Sequence, residues 1–249
     1  MLLENKNAVV YGAGGSIGSA MAKGFAAEGA NVFLVGRTSA KLEAVAEEIR
    51  AAGGRAETAV LDVTDEGAVD DQADAIVQKA GSLDVSVNVI TMTGIFKPLV
   101  DIPVKDFTAA VADYLTAQLI TTKAAARHMV AQQSGVILFF GGSDYANKQP
   151  GMGNVQVAFD TVESLRQQWA NDISPKGVRV VTLLTGGIAD SFPDTPDFAD
   201  AKQGIIGLTK LGRAATFADV GNVAAWVASD KARTLTATQV NITCGAIVD

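Results

Sequence analysis

Seven short apolar runs, rich in β-branched residues, recur along this chain at 8–11, 32–35, 59–61, 85–90, 136–140, 178–184 and 240–242. Runs of this kind read as buried strands. Between them the apolar residues take up helical spacing: Ile17, Met21 and Phe25, then Leu42, Val45 and Ile49, then Val69, Ala73, Ile76 and Val77. A parallel strand pair needs a crossover, and the crossover is normally a helix that covers the sheet. Strict alternation of strand and helix therefore predicts an α/β fold: one Rossmann-type, doubly wound parallel sheet of about seven strands with helices on both faces. At 249 residues and 48% hydrophobic content the chain can bury one large core, so residues 1–249 are expected to form a single domain.

Composition removes several classes of partner. Charged residues make up 19% of the chain, the net charge is −7, and Lys and Arg are scattered, so no basic stripe offers itself to nucleic acid. No apolar run approaches the ~20 residues of a spanning helix, which argues against a membrane role. The opening Met1-Leu2-Leu3-Glu4-Asn5-Lys6 lacks the basic and apolar regions of a signal peptide, and Cys244, the one cysteine, cannot form an intrachain disulfide. A cytoplasmic location is the expectation. No spacing of His, Cys or carboxylates suggests a metal site.

Ligands of open α/β sheets bind beyond the carboxyl ends of the strands. Directly after the first run stands Gly12-Ala13-Gly14-Gly15-Ser16-Ile17-Gly18, which leads into a helical segment. Glycines here permit backbone angles closed to other residues and let a diphosphate approach the positive end of a helix without a Cβ in the way. The turn is read as a dinucleotide site, with a plain strand-to-helix turn as the alternative. At the end of the second strand, where an acid would hold ribose hydroxyls, the chain carries Gly36-Arg37-Thr38-Ser39. Arg37 offers a planar fork for a 2′-phosphate, so NADP(H) is favoured over NAD(H); an ordinary surface cation is the alternative.

The turn has the Gly-x-x-x-Gly-x-Gly spacing of the short-chain dehydrogenase/reductase family, with Ser16 at the middle glycine, and the chain resembles that family over nearly its whole length. Asp62-Val63 resembles the family's adenine-binding Asp, and Asn88-Val89-Ile90-Thr91 partly matches its Asn-Asn-Ala-Gly segment. Ala124-Ala125-Ala126-Arg127-His128-Met129 resembles its long fourth helix. Thr185-Gly186, with Ile188 just beyond, stands where the family has Pro-Gly, and Thr243-Cys244-Gly245 resembles its ending. The resemblance implies a cofactor site built from Gly12, Gly14, Gly15, Ser16, Ile17, Gly18, Arg37, Asp62, Val63, Asn88, Gly186 and Ile188. It also implies a homo-oligomer, tetramer or dimer, joined through the fourth and fifth helices.

The family's catalytic residues do not carry over. Its Asn, Ser, Tyr and Lys fall on Tyr114, Gly142, Val155 and Phe159, and Ser143 replaces the Ser only if the loop slips by one residue. The chain has three tyrosines; four residues beyond Tyr11, Tyr114 and Tyr145 stand Gly15, Gln118 and Gln149, so no register restores a Tyr-x-x-x-Lys pair. Delivery of hydride to a carbonyl leaves an alkoxide that needs a proton. Val155 and Phe159, at i and i+4, present an apolar wall instead. The remaining polar candidates are Tyr114, Ser143, Asp144, Tyr145 and Lys148, with Tyr114 ranked first, as catalytic residues Tyr114 and Ser143. A packed tyrosine and a solvated turn are the corresponding structural alternatives. His128 is assigned to a surface or subunit-contact role, and Cys244 to a buried small apolar one.

Two functions follow. The preferred one is an atypical NADP(H)-dependent oxidoreductase acting on a small, largely apolar carbonyl compound or activated alkene, with a rearranged proton donor. The other is a non-catalytic protein that binds a nicotinamide dinucleotide as a sensor or structural subunit.

Overall fold

The computed structural model describes residues 1–142, 144 and 148–248. Among these, seven parallel strands form one sheet in the order β3-β2-β1-β4-β5-β6-β7. The strands are β1 (Asn7–Tyr11), β2 (Asn31–Gly36), β3 (Arg55–Val60), β4 (Val85–Asn88), β5 (Gly135–Gly141), β6 (Val178–Leu184) and β7 (Thr238–Asn241). The long helices are α1 (Ser16–Ala27), α2 (Ser39–Ala51), α3 (Glu66–Ala80), α4 (Val104–Gln132), α5 (Val155–Ile173), α6 (Ala199–Leu208) and α7 (Phe217–Ala228). The expected α/β architecture is therefore present. No helix among the described residues is long and apolar enough to cross a membrane.

Strand boundaries shift by one or two residues in most strands, β7 for example running from Thr238 to Asn241, and two differences have a clear physical reason. β3 begins at Arg55, four residues before its apolar stretch, because parallel pairing with β2 from Asn31↔Arg55 onward is set by backbone hydrogen bonds and tolerates the polar Glu57 and Thr58 at a sheet edge. β4 ends at Asn88, after which the chain leaves the sheet and Ile90 belongs to the segment beyond it.

Alternate strand residues serve two separate cores. Ala8, Val10, Val85, Val87, Leu138 and Leu183 face α1, α2 and α7, while Val9, Tyr11, Phe33, Val35, Ile137 and Phe139 face α3, α4 and α5. A one-residue slip would exchange both sets, so burial on both faces holds the register. The first layer is drawn tight where α1 crosses α7. A Cβ on Gly221 would lie 2.6 Å from the carbonyl oxygen of Ala20, and one on Gly24 would lie 2.6 Å from that of Gly221. Helical Gly→Ala usually stabilises by about 0.5–1 kcal/mol, whereas overpacking against backbone costs about 1–3 kcal/mol, so the clash wins. Gly221→Ala is expected to lower the stability by about 1–2 kcal/mol, read as a lower urea midpoint at unchanged slope; an unchanged or higher midpoint would show that the helices part freely.

The strand order reverses between β1 and β4, since α3 carries the chain from the β3 edge back to the far side of β1. At such a switch point the connections diverge and leave a crevice above the carboxyl ends of the strands.

Candidate functional site

The turn after β1 lies in that crevice. Gly12 has φ +85°, in the left-handed region, and a Cβ there would stand 2.0 Å from the carbonyl oxygen of Val89. A Cβ on Gly18 would stand 2.3 Å from the carbonyl of Gly12. The turn is thus closed down on itself and on the end of β4 by the absence of side chains. Gly15 caps α1 without a side-chain cap, and the first helical bond runs from the Ser19 amide to the Gly15 carbonyl at 2.8 Å. The amides of Ser16, Ile17 and Gly18 precede that bond, and no acidic residue occupies the first turn of α1. These donors, with the positive end of the helix, fit a diphosphate.

Arg37, Thr38 and Ser39 are exposed between β2 and α2, where Thr38 caps α2 without a side-chain hydrogen bond and the first turn carries no acid. Across from them Asp62 Oδ1 accepts from the Thr64 amide at 3.0 Å and its hydroxyl at 2.8 Å. Those two bonds, and beyond them the charge of Arg37, hold the Asp62 carboxyl below its usual range. Asp62 is exposed and Val63 half-buried, packed on the α3–α5 core. A residue not singled out from sequence, Lys41, roots its Cβ 3.1 Å from the Cβ position of Gly14 and so stands directly beside the phosphate turn.

Beyond β5 and β6 lies a cleft of about 280 Å³ lined by Gly141, Gly142, Asp144, Lys148, Met152, Gln156, Phe159, Leu184 and Gly186, among others. The wall from α5 is apolar where Phe159 faces it, and Val155, one turn earlier, is buried. Tyr114 on α4 meets Phe159 edge-on, with ring centroids 6.0 Å apart at 66°. These two residues therefore do come together, but Phe159 lines the cleft and Tyr114 sits behind it, 4% exposed. Burial pushes the Tyr114 phenol up to about 12, and Gln118, one turn along α4, offsets part of this. Neither amide atom of Gln118, itself fully buried, reaches a partner with hydrogen-bond geometry among the described residues.

Gly142 explains why a serine is absent at its position. With φ +68° and a Cβ site 2.6 Å from Gln239 Oε1 and 2.7 Å from Leu184 Cδ1, a side chain here would be strained and would displace both neighbours. Ser143 and Tyr145 lie outside the described residues. The Lys148 ammonium donates to the Asp144 carbonyl at 2.8 Å and to Asp160 Oδ1 at 2.7 Å, which ties the loop to α5.

The other expected site residues are placed as follows. Asn88 is fully buried; its Nδ2 donates to Thr122 Oγ1 at 3.0 Å, so the side chain serves the α4 contact, and the group that meets the phosphate turn is the carbonyl of its neighbour Val89. Gly186 lines the cleft, and Ile188 is buried and bridges in parallel to Ala215. His128 Nε2 lies 2.9 Å from Asp74 Oδ1, between α4 and α3. Cys244 departs from expectation: it is half-buried at φ +54°, and its carbonyl accepts from the amides of Lys210 and Leu211, so its place is set by backbone geometry more than by apolar packing.

Sequence reasoning missed Asn154, the residue before α5. It is fully buried; its Oδ1 accepts from the Ile95 amide at 2.9 Å, and its Nδ2 donates to the Thr93 carbonyl at 3.2 Å. Nothing local marks an asparagine for contacts some 60 residues away.

Comparison with known proteins agrees with this geometry. A family model described as enoyl-(acyl carrier protein) reductase matches residues 12–246. The chain is 27% identical over 251 residues to 3-oxoacyl-(acyl-carrier-protein) reductase of Thermotoga maritima, covering 100% of both proteins. Among solved structures it is similar to a short-chain type dehydrogenase/reductase of Mycobacterium ulcerans, with TM-score 0.90, 26% identity, and coverage of 99% of this chain and 91% of that one. It is also similar to an NAD+-bound xylitol dehydrogenase, with TM-score 0.87, 26% identity, and coverage of 98% and 100%.

Proposed function

This chain belongs to the short-chain dehydrogenase/reductase family of oxidoreductases, which bind a nicotinamide dinucleotide, and on that premise we propose that it is an NADP(H)-dependent reductase of small, largely apolar carbonyl compounds or activated alkenes whose proton donor has moved off α5. The observation that carries the reading is a closed, donor-lined phosphate turn beside a cleft walled on the α5 side by Phe159. When bound, the nicotinamide supplies a hydride to the substrate carbon. The protein's share is to hold the cofactor on the amides of Ser16, Ile17 and Gly18, to exclude water with Phe159, Leu184 and Met152, and to supply a proton to the substrate oxygen or carbon.

Two described groups qualify as donor. Tyr114 is protonated throughout the neutral range, since its neutral form persists until pH rises through about 12; it stands edge-on behind the Phe159 ring, so its use as donor requires that ring to swing aside. Lys148 already lines the cleft, where its side-chain nitrogen donates to Asp160 Oδ1. Ser143 is retained as a third member of the proposed site. A neutral phenol suits reduction, and it suits alcohol oxidation poorly, because that direction needs the phenolate. With Tyr114 as donor, reduction should show no alkaline loss from this group until pH nears about 12, while oxidation of the product alcohol should climb with pH. A reductive rate that falls with a midpoint near neutrality would assign the proton elsewhere.

The test begins with purified protein, NADPH or NADH, and a panel of aldehydes, ketones and conjugated enones, followed by nicotinamide absorbance. On any substrate found, Tyr114→Phe should lower kcat by at least about tenfold, with the Kd of NADPH within about twofold of wild type. Unchanged turnover, together with loss in Lys148→Met, would move the donor to the loop. Arg37→Ala should weaken NADPH by about ten- to a hundredfold, the worth of charge-assisted hydrogen bonds to a phosphate, and leave NADH nearly unaffected; equal losses for both would end the preference for the phosphorylated cofactor.

The apolar α5 wall also favours a second reading, a dinucleotide-binding sensor or subunit without turnover. Cofactor binding with no reaction across the panel selects it. In either case we read residues 1–249 as one domain that assembles into a dimer or tetramer, with Leu119 of α4 and Val157 of α5 among its exposed apolar side chains; a monomer by sedimentation would refute that assembly.

A further inference from the structure

The amino edge of the sheet, opposite the crevice, carries a concavity of about 640 Å³ lined by Asn5, Asn7, Asn31, Arg50, Arg55 and Glu57, among others. The six residues of β2 set it about 20 Å from the carboxyl edge, at about 3.3 Å per residue. The turn from α2 to β3 shapes it. Gly53 takes φ +82°, the Gly54 amide donates to the Ile49 carbonyl at 2.9 Å, and a Cβ on Gly54 would lie 2.9 Å from Ile49 Cγ2. Two glycines thus carry α2 directly into β3 and leave Arg50 and Arg55 at the two feet of the turn. Backbone carbonyls hold both guanidiniums: Arg50 Nε and Nη2 donate to Ala56 at 3.2 and 3.0 Å, and Arg55 Nη2 donates to Gly29 at 3.1 Å. Arg50 Nη1 also lies 3.5 Å from Glu43 Oε2, and Lys79 pairs with Glu57 at 2.6 Å, whereas Arg55 has no carboxylate partner among the described residues. The amides divide in the same way. Asn7, almost fully buried, donates to the Ala80 carbonyl and Ser82 Oγ and accepts from Asn31 Nδ2 at 3.4 Å. Asn31 Oδ1 and the whole amide of Asn5, an exposed residue at φ +61°, enter no hydrogen bond among the described residues.

We infer that this concavity is a second ligand site, for a small polyhydroxylated anion whose carboxylate or phosphate meets Arg55 and whose hydroxyls meet Asn5 and Asn31. A guanidinium offers its N–H groups in a planar fork that matches either oxyanion. One edge of the Arg55 fork is tied to backbone, so the rest is held in place before a ligand arrives and little side-chain freedom is lost on binding. An amide donates and accepts, as a sugar hydroxyl does, so a wall with three asparagines suits a sugar better than an apolar group. Glu57, the one acid on the lining, is already bound by Lys79. The volume exceeds what a bare ion fills and falls within the range of small-molecule sites, about 300–1,000 Å³.

Calorimetry with glucose 6-phosphate, glucuronate and glucose tests this, in protein whose crevice is filled by saturating NADPH or NADH. At least one of the two anions is expected to bind with a Kd of about 1 mM or below, and glucose at least about tenfold more weakly; the tighter anion names the head group. Arg55→Leu should raise the Kd of that anion about tenfold or more, the worth of a charge-assisted hydrogen bond. Asn5→Gly, which suits the left-handed backbone and removes only the amide, should raise it about threefold. Both variants should leave the dinucleotide Kd within about twofold, and Arg37→Ala should leave the anion Kd unchanged. The inference does not rest on the dinucleotide reading: in protein that binds neither dinucleotide, the comparison of Arg37→Ala with Arg55→Leu stands in for the filled crevice. Absence of heat from both anions at about 20 mM, glucose bound as tightly as they are, or a Kd unmoved by Arg55→Leu would overturn it. A Kd that rises in Arg37→Ala instead would assign the anion to the crevice and overturn it equally.

Discussion

Gly12→Ala is expected to lower the affinity for nicotinamide dinucleotide by at least about a hundredfold, equivalent to some 2.7 kcal/mol, and to remove the thermal stabilisation that saturating cofactor gives the wild type. Two costs combine. A residue with a Cβ at φ +85° pays about 1–2 kcal/mol for the left-handed backbone. The second cost is steric and larger: the new methyl would sit 2.0 Å from the Val89 carbonyl oxygen, so either the turn lifts off β4 or the end of β4 retreats. Either movement turns the amides of Ser16, Ile17 and Gly18 away from the phosphates they are proposed to hold. Gly53→Ala is the control, because Gly53 has φ +82° but nothing within 4 Å of its Cβ position. That variant should lose about 1–2 kcal/mol of stability and none of the affinity. If Gly12→Ala binds cofactor as tightly as Gly53→Ala does, the turn is not the phosphate site.

The second large effect concerns stability. Arg166→Met is expected to destabilise the protein by about 3–5 kcal/mol, measured by urea denaturation at neutral pH. Glu163 and Arg166, on consecutive turns of α5, are both almost fully buried; Arg166 Nε donates to Glu163 Oε1 at 2.6 Å, and Thr182 of β6 donates to Oε2 at 2.7 Å. Removing the guanidinium leaves a carboxylate in an apolar layer with one hydroxyl for company, and desolvation of that charge is what the variant must bear. The double variant Glu163→Leu/Arg166→Met removes both charges. It should return to within about 1 kcal/mol of wild type or exceed it, since buried pairs often do no better than apolar residues of similar volume. The Nη1 of Arg166, buried and without a hydrogen-bond partner among the described residues, points to the same result. A double variant as unstable as Arg166→Met would show instead that the pair is net favourable, and that α5 depends on it for its seat against β6.

The shape of the glycine turn after β1 was readable in the sequence because every requirement it meets is local. Glycine spacing, the strand before it and the helix after it lie within about a dozen residues, and the backbone angles follow from which residues lack a Cβ. The placement of Arg37 and Asp62 was readable for the same reason: each follows its strand closely, and strand ends in a parallel sheet all lie on one edge. The α5 wall was half readable. The loss of a Tyr-x-x-x-Lys pair is a statement about identities, but that Phe159 screens Tyr114 from the cleft required two helices to be placed side by side.

What the sequence alone determined is the periodic signal: alternating strands and helices, the crevice at the carboxyl edge, and a glycine turn at the first crossover. Only the tertiary structure decided which groups meet across that crevice. Asn154 finds Thr93 and Ile95, Asn88 spends its amide on Thr122, Gly142 closes against Gln239 and Leu184, and Glu163 accepts from the Thr182 hydroxyl of β6. Periodicity reports which face of an element is buried, since that depends on one residue and its spacing; the partner of a buried polar group depends on a second element brought from far along the chain, and no local pattern encodes that distance.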